Sequence, residues 1–379
     1  MAPSPPRRTR WSGRRPGQPR PVDLSRLADL AYAAGWRLVR WLPEPLARAL
    51  FTLAADVAWR RDGRGTRRLR SNLARVVPSG TDLDALTRAA LRSYARYWLE
   101  VFRLQDMPRE RIVGRMRVLD EHRLRDAYAT GRGVILALPH LGNWDHAGAW
   151  LVATGVPFTT VAERLRPESL FDRFVAFRRA LGMEVIPLTG GAEPPFALLA
   201  ERLRAGGMLC LVAERDFGSG GVPVRFFGAT TTMPAGPAAL ALRTGAILLP
   251  VTLWFDRDGW SARIHPAVPP ATVARMTQTL ADDFAAGIAA HPADWHMLQR
   301  VWPDAAPAVA GPADSPGPAD SSGPADSPGP ADSPGPADSP GPADSPGPAD
   351  SPGPADSPGP ADPPGPVGAA GEPAREAAR

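Results

Sequence analysis

The chain has 379 residues, its basic residues are all arginine, and it holds one cysteine, Cys210. A single thiol excludes an internal disulfide framework and fits a reducing compartment. The first 23 residues lack the apolar segment of a secretory signal, and the best candidate span, Ala239 to Phe255, is broken by Arg243 and Pro250.

Charge is unevenly distributed. From residue 304 onward twelve acids face two arginines, so the body before it carries 42 arginines against 27 acids. A body of that sign favours anionic membrane surfaces, nucleic acid or acidic substrates, although an all-arginine habit also reflects genome composition.

Residues 1–22 are rich in Pro and Arg and read as a disordered basic segment. Leu24, Leu27, Ala31, Ala34, Leu38 and Trp41 then recur at helical spacing, with Arg26, Arg37 and Arg40 off that stripe. Leu46, Leu50, Leu53 and Val57 repeat the pattern and end in Arg60 and Arg61. A basic cluster covers 64–75, and an aromatic-rich helical pattern covers 83–104. We expect 23–110 to be an amphipathic α-helical extension that associates with an anionic membrane surface.

From Gly133 the texture changes to alternating strands and helices. Apolar runs at 133–139, 157–162, 183–188, 208–213 and 246–255 read as strands, and helical patterns fall at 168–181, 193–205, 235–245 and 272–289. This alternation predicts an α/β fold with a mostly parallel central sheet flanked by helices over 111–302. From Gly311 the unit Gly-Pro-Ala-Asp-Ser-Pro repeats with small variations. It has no aromatic or branched residues with which to build a core, so 303–379 reads as a disordered tail.

The most informative segment is His140-Leu-Gly-Asn-Trp-Asp145, directly after the buried run Gly133 to Pro139. Where a strand of an open α/β sheet ends, a histidine and a carboxylate enter the loop in which such sheets bind their ligands. His140 is a candidate base and Asp145 a candidate for fixing its tautomer, against the plainer reading of Asp145 as an acid in a helix's first turn. Gly142 permits tight backbone geometry. His146, inside the following helix, is the weaker candidate base.

Glu214-Arg-Asp216 closes the buried run Met208 to Ala213. Three charges after a core strand need partners or a site. If the two strands are neighbours, Glu214 and His140 share one rim; otherwise this is a surface turn with a local ion pair. Phe226 to Gly236 leads into an alanine-rich helix whose N-terminus suits an anion, or simply packs. Among Phe174, Arg178 and Arg179, one arginine at the rim suits phosphate, although arginines on a solvated helix face are commoner. His291-Pro-Ala-Asp-Trp-His296 reads first as core and helix-end residues. No His, Cys and acid set has zinc spacing, so no metal is expected.

These segments together resemble the lysophospholipid acyltransferase-like superfamily, in its lipid A lauroyl/myristoyl acyltransferase branch. The resemblance rests on Pro139 to Asp145, Ala213-Glu-Arg-Asp216, Val224-Arg-Phe-Phe-Gly228, Pro234-Ala-Gly-Pro-Ala238 and His291 to His296, and it spans about Leu24 to Trp302. The Ala-Glu-Arg-Asp and Met-Pro-Ala-Gly-Pro-Ala forms are most similar to the actinobacterial members. The resemblance implies an O-acyltransferase at the cytoplasmic face of the inner membrane, with acyl-CoA as co-substrate and no other cofactor. Its acceptor would be a glycolipid, by this likeness the 6-hydroxyl of a mannose on phosphatidylinositol mannoside, and the acyl chain a long one such as palmitoyl. His140 would be the base, Glu214 its charged partner and Asp145 the end of the motif. Arg178, Gly142, Asn143, Arg215 and Asp216 would meet substrate.

The chemistry is consistent with that assignment. A sugar hydroxyl needs a base as it attacks a thioester, a role for His140 with Glu214 steadying the imidazolium. The tetrahedral oxyanion needs donors, and backbone N–H groups around Gly142 and Asn143 are the expected source. Other readings stay open: an acyltransferase for another glycolipid or a lysophospholipid, a non-catalytic membrane adaptor, and an arginine-rich nucleic-acid binder. The last is disfavoured, because the arginines lie along amphipathic helices and no nucleic-acid fold signature appears.

Overall fold

The five apolar runs lie side by side in one sheet. A computed structural model describes residues 34–163, 168–190, 194–216 and 220–302. Helical residues at 34–41 precede α1 (Glu44–Arg61), α2 (Arg64–Val76), α3 (Leu83–Arg103) and α4 (Arg109–Gly114). The chain continues through β1 (Met116–Leu119), α5 (Glu121–Ala129), β2 (Val134–Leu138), α6 (Trp144–Ala153), β3 (Thr159–Ala162) and α7 (Glu168–Ala180). It then forms β4 (Glu184–Pro187), α8 (Pro195–Arg204), β5 (Met208–Val212), β6 (Val222–Phe226) and β7 (Ala229–Met233). The last elements are α9 (Gly236–Thr244), β8 (Ile247–Phe255), β9 (Trp260–Ile264) and α10 (Val273–Ala290). The expected disordered segments, 1–22 and 303–379, lie outside the described residues.

The main sheet has seven strands in the order β1-β9-β8-β2-β5-β3-β4, and only β8 and β9 run antiparallel. The α/β reading with a mostly parallel sheet is therefore correct. β2 is central and all five of its residues are buried, as a strand covered on both faces must be. Its side chains alternate between two cores. Ile135 and Ala137 pack with residues of α2, α8, α9 and α10, while Val134, Leu136 and Leu138 pack with residues of α3, α5 and α6.

Two features differ from the sequence reading. β1, β9 and the separate β6–β7 hairpin were not foreseen, because strands of four or five residues that mix polar and apolar side chains carry little signal. The helices before β1 are also more than an extension. Leu69, Leu73, Ala90, Leu91, Tyr97 and Val101 are buried in the same two cores as the sheet. In this helical part the large apolar side chains left exposed are Leu38 and Trp41 of the helical residues at 34–41 and Leu46, Leu50 and Leu53 of α1, whose Ala47 and Ala55 are buried.

Candidate active site

β2 and β5 are parallel neighbours in the register Leu138↔Val212, so both chains leave the sheet at one rim. Ala213 N–H still donates to the Leu138 carbonyl at 2.9 Å, which holds the two exits together. The next side chains, His140 and Glu214, meet there. Glu214 Oε1 accepts from the His140 backbone N–H at 2.6 Å and lies 2.8 Å from His140 Nδ1. An ionised carboxylate only accepts, so the ring proton belongs on Nδ1 and the Nε2 lone pair is left free. The His140 side chain is 26% exposed and that of Glu214 is fully enclosed. A carboxylate thus orients an imidazole whose other nitrogen is available as a base.

Asp145 does something else. Its carboxylate is buried and accepts from Arg178 Nε at 2.7 Å, Arg178 Nη2 at 3.2 Å and the Tyr97 hydroxyl at 2.8 Å. Arg178 is thereby committed to an internal ion pair, although a place at the substrate rim was expected of it. Burial opposes its charge, but Asp145 outweighs burial and holds its pKa above the ordinary arginine value. Burial, reinforced by Asp145, keeps the Tyr97 phenol protonated.

Asn143 is the N-cap of α6. Its Oδ1 accepts from His146 N–H at 2.9 Å, and its Nδ2 donates to Glu100 at 2.7 Å. Gly142 has φ +62°, and a Cβ there would come within 2.9 Å of the Leu253–Trp254 backbone, so no other residue fits without a shift. Its N–H donates to the Asp294 carbonyl at 2.9 Å, while the Leu141 N–H donates to Pro139. The expected oxyanion donor at Gly142 is therefore occupied. The unsatisfied amides of a helix's first turn shift attention to Trp144 and Asp145, since the cap already serves His146.

Arg215 and Asp216 follow Glu214 as half-buried residues engaged with other groups, and the Asp216 carboxylate sits where a Cβ on Gly221 would be. His146 is buried, stacks on Trp260 at 3.6 Å and donates from Nε2 to the Ile112 carbonyl at 3.3 Å. Burial pushes its pKa down to about 3, so it is a neutral packing residue.

Beneath the rim an apolar cavity lies between the sheet and α6. Trp144, Asp145 and Arg178 line it together with Leu136, Leu138, Gly148, Phe158, Met183, Cys210 and Val212. Trp144 connects the two regions, its ring edge-on to His140 at 5.2 Å. Burial raises the Cys210 thiol pKa, which makes it an inert wall residue.

Sequence reasoning missed Tyr97, Glu100 and Ser93, three residues of α3 that reach this loop or its support. Their spacing on one helix face was visible, but the target of that face was not.

The family described as bacterial lipid A biosynthesis acyltransferase matches residues 16–303. A phosphatidylinositol mannoside acyltransferase of Mycolicibacterium smegmatis is 55% identical over 280 residues, which is 73% of this chain and 91% of that protein. One from Mycobacterium tuberculosis (strain CDC 1551 / Oshkosh) is 51% identical over 298 residues, 76% of this chain and 92% of its own length.

Proposed function

This chain belongs to the bacterial lipid A biosynthesis acyltransferase family, and we propose that it moves a long acyl chain, palmitoyl, from acyl-CoA to the mannose 6-hydroxyl of phosphatidylinositol mannoside. Relatives named phosphatidylinositol mannoside acyltransferase, at 55% and 51% identity, support a mannoside glycolipid as the acceptor. The observation that carries the mechanism is the contact of His140 Nδ1 with the enclosed Glu214 carboxylate at 2.8 Å.

In this reading His140 Nε2 removes the hydroxyl proton as the oxygen attacks the thioester carbonyl. Glu214 stabilises the imidazolium that forms. The amides of Trp144 and Asp145, at the positive end of α6, receive the oxyanion. Collapse breaks the C–S bond, and the imidazolium returns its proton to the departing thiolate, giving an ester and free CoA. Asp145, Arg178 and Tyr97 hold the first turn of α6 in place. The apolar cavity takes the acyl chain, with Trp144 at its mouth.

The same reading puts the protein at the cytoplasmic face of the membrane. Among the described residues no helix is long and apolar enough to cross a membrane. Seven large hydrophobics are exposed among the described residues, and five of these, Leu38, Trp41, Leu46, Leu50 and Leu53, lie close together in sequence. Arg37, Arg48, Arg60 and Arg61 flank them. Such a stripe suits a helix lying in the interface plane.

The test is incubation with labelled palmitoyl-CoA and a panel of acceptors, followed by identification of the acylated product. Label on phosphatidylinositol mannoside, at the mannose 6-oxygen, supports the reading. Label on a lysophospholipid or another glycolipid instead, with none on the mannoside, overturns the acceptor.

A further inference from the structure

The segment His291 to Met297 takes no part in the mechanism above, yet it holds the main chain of the site. Gly142 N–H donates to the Asp294 carbonyl at 2.9 Å, His296 N–H donates to the His140 carbonyl at 2.8 Å, and Leu141 faces Trp295 in an antiparallel bridge. Any shift of 294–296 is therefore passed to 140–142.

Side chains fix that segment in turn. Asp294 accepts from the Phe255 N–H at 2.9 Å and from the Ser93 hydroxyl at 2.6 Å. Ser93 Oγ also lies 3.0 Å from His296 Nε2. A carboxylate only accepts, and serine has one hydrogen to give. That hydrogen goes to Asp294, so His296 donates its Nε2–H to the serine oxygen. Its Nδ1 is buried without a partner, in a ring wall that includes Tyr94, Tyr97, Trp144 and Phe255. Burial, and then the charge of His140, push the His296 pKa down to about 3. His296 stays neutral while His140 cycles, which separates it from a second base.

Ser93 is also one of a set. Ser93, Tyr97 and Glu100 stand at i, i+4 and i+7 on α3, a single helix face. Tyr97 reaches Asp145, Glu100 reaches Asn143, and Ser93 reaches Asp294 and His296. One face of one helix thus supports both ends of the His140–Asp145 loop.

We propose that Ser93 and His296 are positioning residues for acyl transfer, setting the main chain at His140 to Gly142 and so the aim of the His140 imidazole at the acceptor hydroxyl. The proposal rests on the acyl-transfer reading of the site.

The test measures kcat and KM for palmitoyl-CoA, with phosphatidylinositol mannoside as acceptor, in Ser93→Ala, Ser93→Thr, His296→Phe and His296→Gln. Ser93→Ala and His296→Phe should lose about 10- to 100-fold in kcat, the scale expected when a reacting group is misaimed. Their KM should stay within about twofold, since ground-state binding is untouched. Threonine keeps the hydroxyl and glutamine keeps a donor near the Nε2 position, so both should restore most of kcat. In parallel, the rate at which diethylpyrocarbonate modifies His140, read at that residue by fragment mass spectrometry, should change in the Ala and Phe variants and return in Thr and Gln. This second readout needs no acceptor. If the unmodified protein transfers nothing, the functional reading fails while His140 reactivity still decides the positioning. Unchanged kcat and unchanged His140 reactivity in Ser93→Ala would overturn the proposal, as would a loss that Thr does not repair.

Discussion

Arg178 grips Asp145 through two nitrogens, Nε to Oδ1 at 2.7 Å and Nη2 to Oδ2 at 3.2 Å, while His140, five residues earlier, pairs with Glu214. The two acids associated with the histidine motif therefore have separate duties. Glu214 bears on the imidazole, and Asp145 bears on the architecture of α6.

That division predicts different phenotypes. Asp145→Asn leaves the Arg178 charge buried and poorly paired, and breaking a buried pair costs about 3–5 kcal/mol. We expect a clear drop in urea midpoint together with lost activity. A stable but inactive Asp145→Asn would instead place Asp145 in the chemistry.

His140→Ala and Glu214→Gln should fail in the opposite way. His140 is partly exposed at the rim and contributes little to packing. Removing a general base costs ~10²–10⁴-fold in turnover, with the fold retained. Glutamine keeps the shape of Glu214 but not the charge that supports an imidazolium. Acyl-transfer rates and thermal melts of both variants decide this, and near-normal turnover in either removes that residue from the mechanism.

How much of this was legible in the sequence follows from sequence distance. His140 and Glu214 each stand directly after an uninterrupted apolar run, and neighbouring strands in a parallel sheet were enough to join them. Asp145 was harder. Its partners Tyr97 and Arg178 lie 48 residues before it and 33 after, on helices whose inward faces no local pattern specifies. The loss of Gly142 as an oxyanion donor depends on a carbonyl from residue 294. The strands β1 and β9 stayed hidden because Met116 to Leu119 and Trp260 to Ile264 mix arginine and serine with apolar residues.

Stability should fall on mild acidification. His146 and His296 are buried, and burial holds both near a pKa of about 3, against the ordinary value of 6.5. The unfolded chain takes up protons below pH 6.5 and the folded chain does not, so the stability is fully present above that pH and is lost as pH falls toward 3. At pH 5 the loss is about 2 kcal/mol for each histidine. Urea midpoints at pH 7.5 and 5.0 check this, with His296→Gln expected to shrink the difference. An equal difference in that variant would show that His296 does not contribute.

The cavity wall offers a test of where the acyl chain goes. Cys210 and Val212 line it from β5, and Gly148 lines it from α6. A Cβ on Gly148 would come within 2.9 Å of both Met183 and Phe158, so this wall has no slack. Cys210→Phe should fill the space and shift preference from palmitoyl-CoA toward shorter donors, with His140 chemistry intact. An unaltered chain-length profile would mean that the chain lies elsewhere.

The exposed leucines of α1 make the last prediction. Leu46, Leu50 and Leu53 are 49%, 47% and 56% exposed, and they follow one another at i, i+4 and i+7. A helix of a water-facing protein normally turns such a stripe inward. Here Ala47, Ala55 and Asp56 face the protein instead, and Asp56 is gripped by Arg88 and Arg92 of α3 at 2.7 Å, so the helix cannot roll to bury its leucines. Substituting all three by serine should leave the fold and the turnover of a detergent-dispersed acceptor nearly unchanged. It should sharply reduce co-sedimentation with phosphatidylinositol-rich liposomes, because each leucine fully moved from water into an apolar phase is worth about 1.5–3 kcal/mol. Binding should also weaken as salt rises, through the flanking arginines. If the triple variant still sediments as well as the unmodified protein, the membrane contact lies on another face.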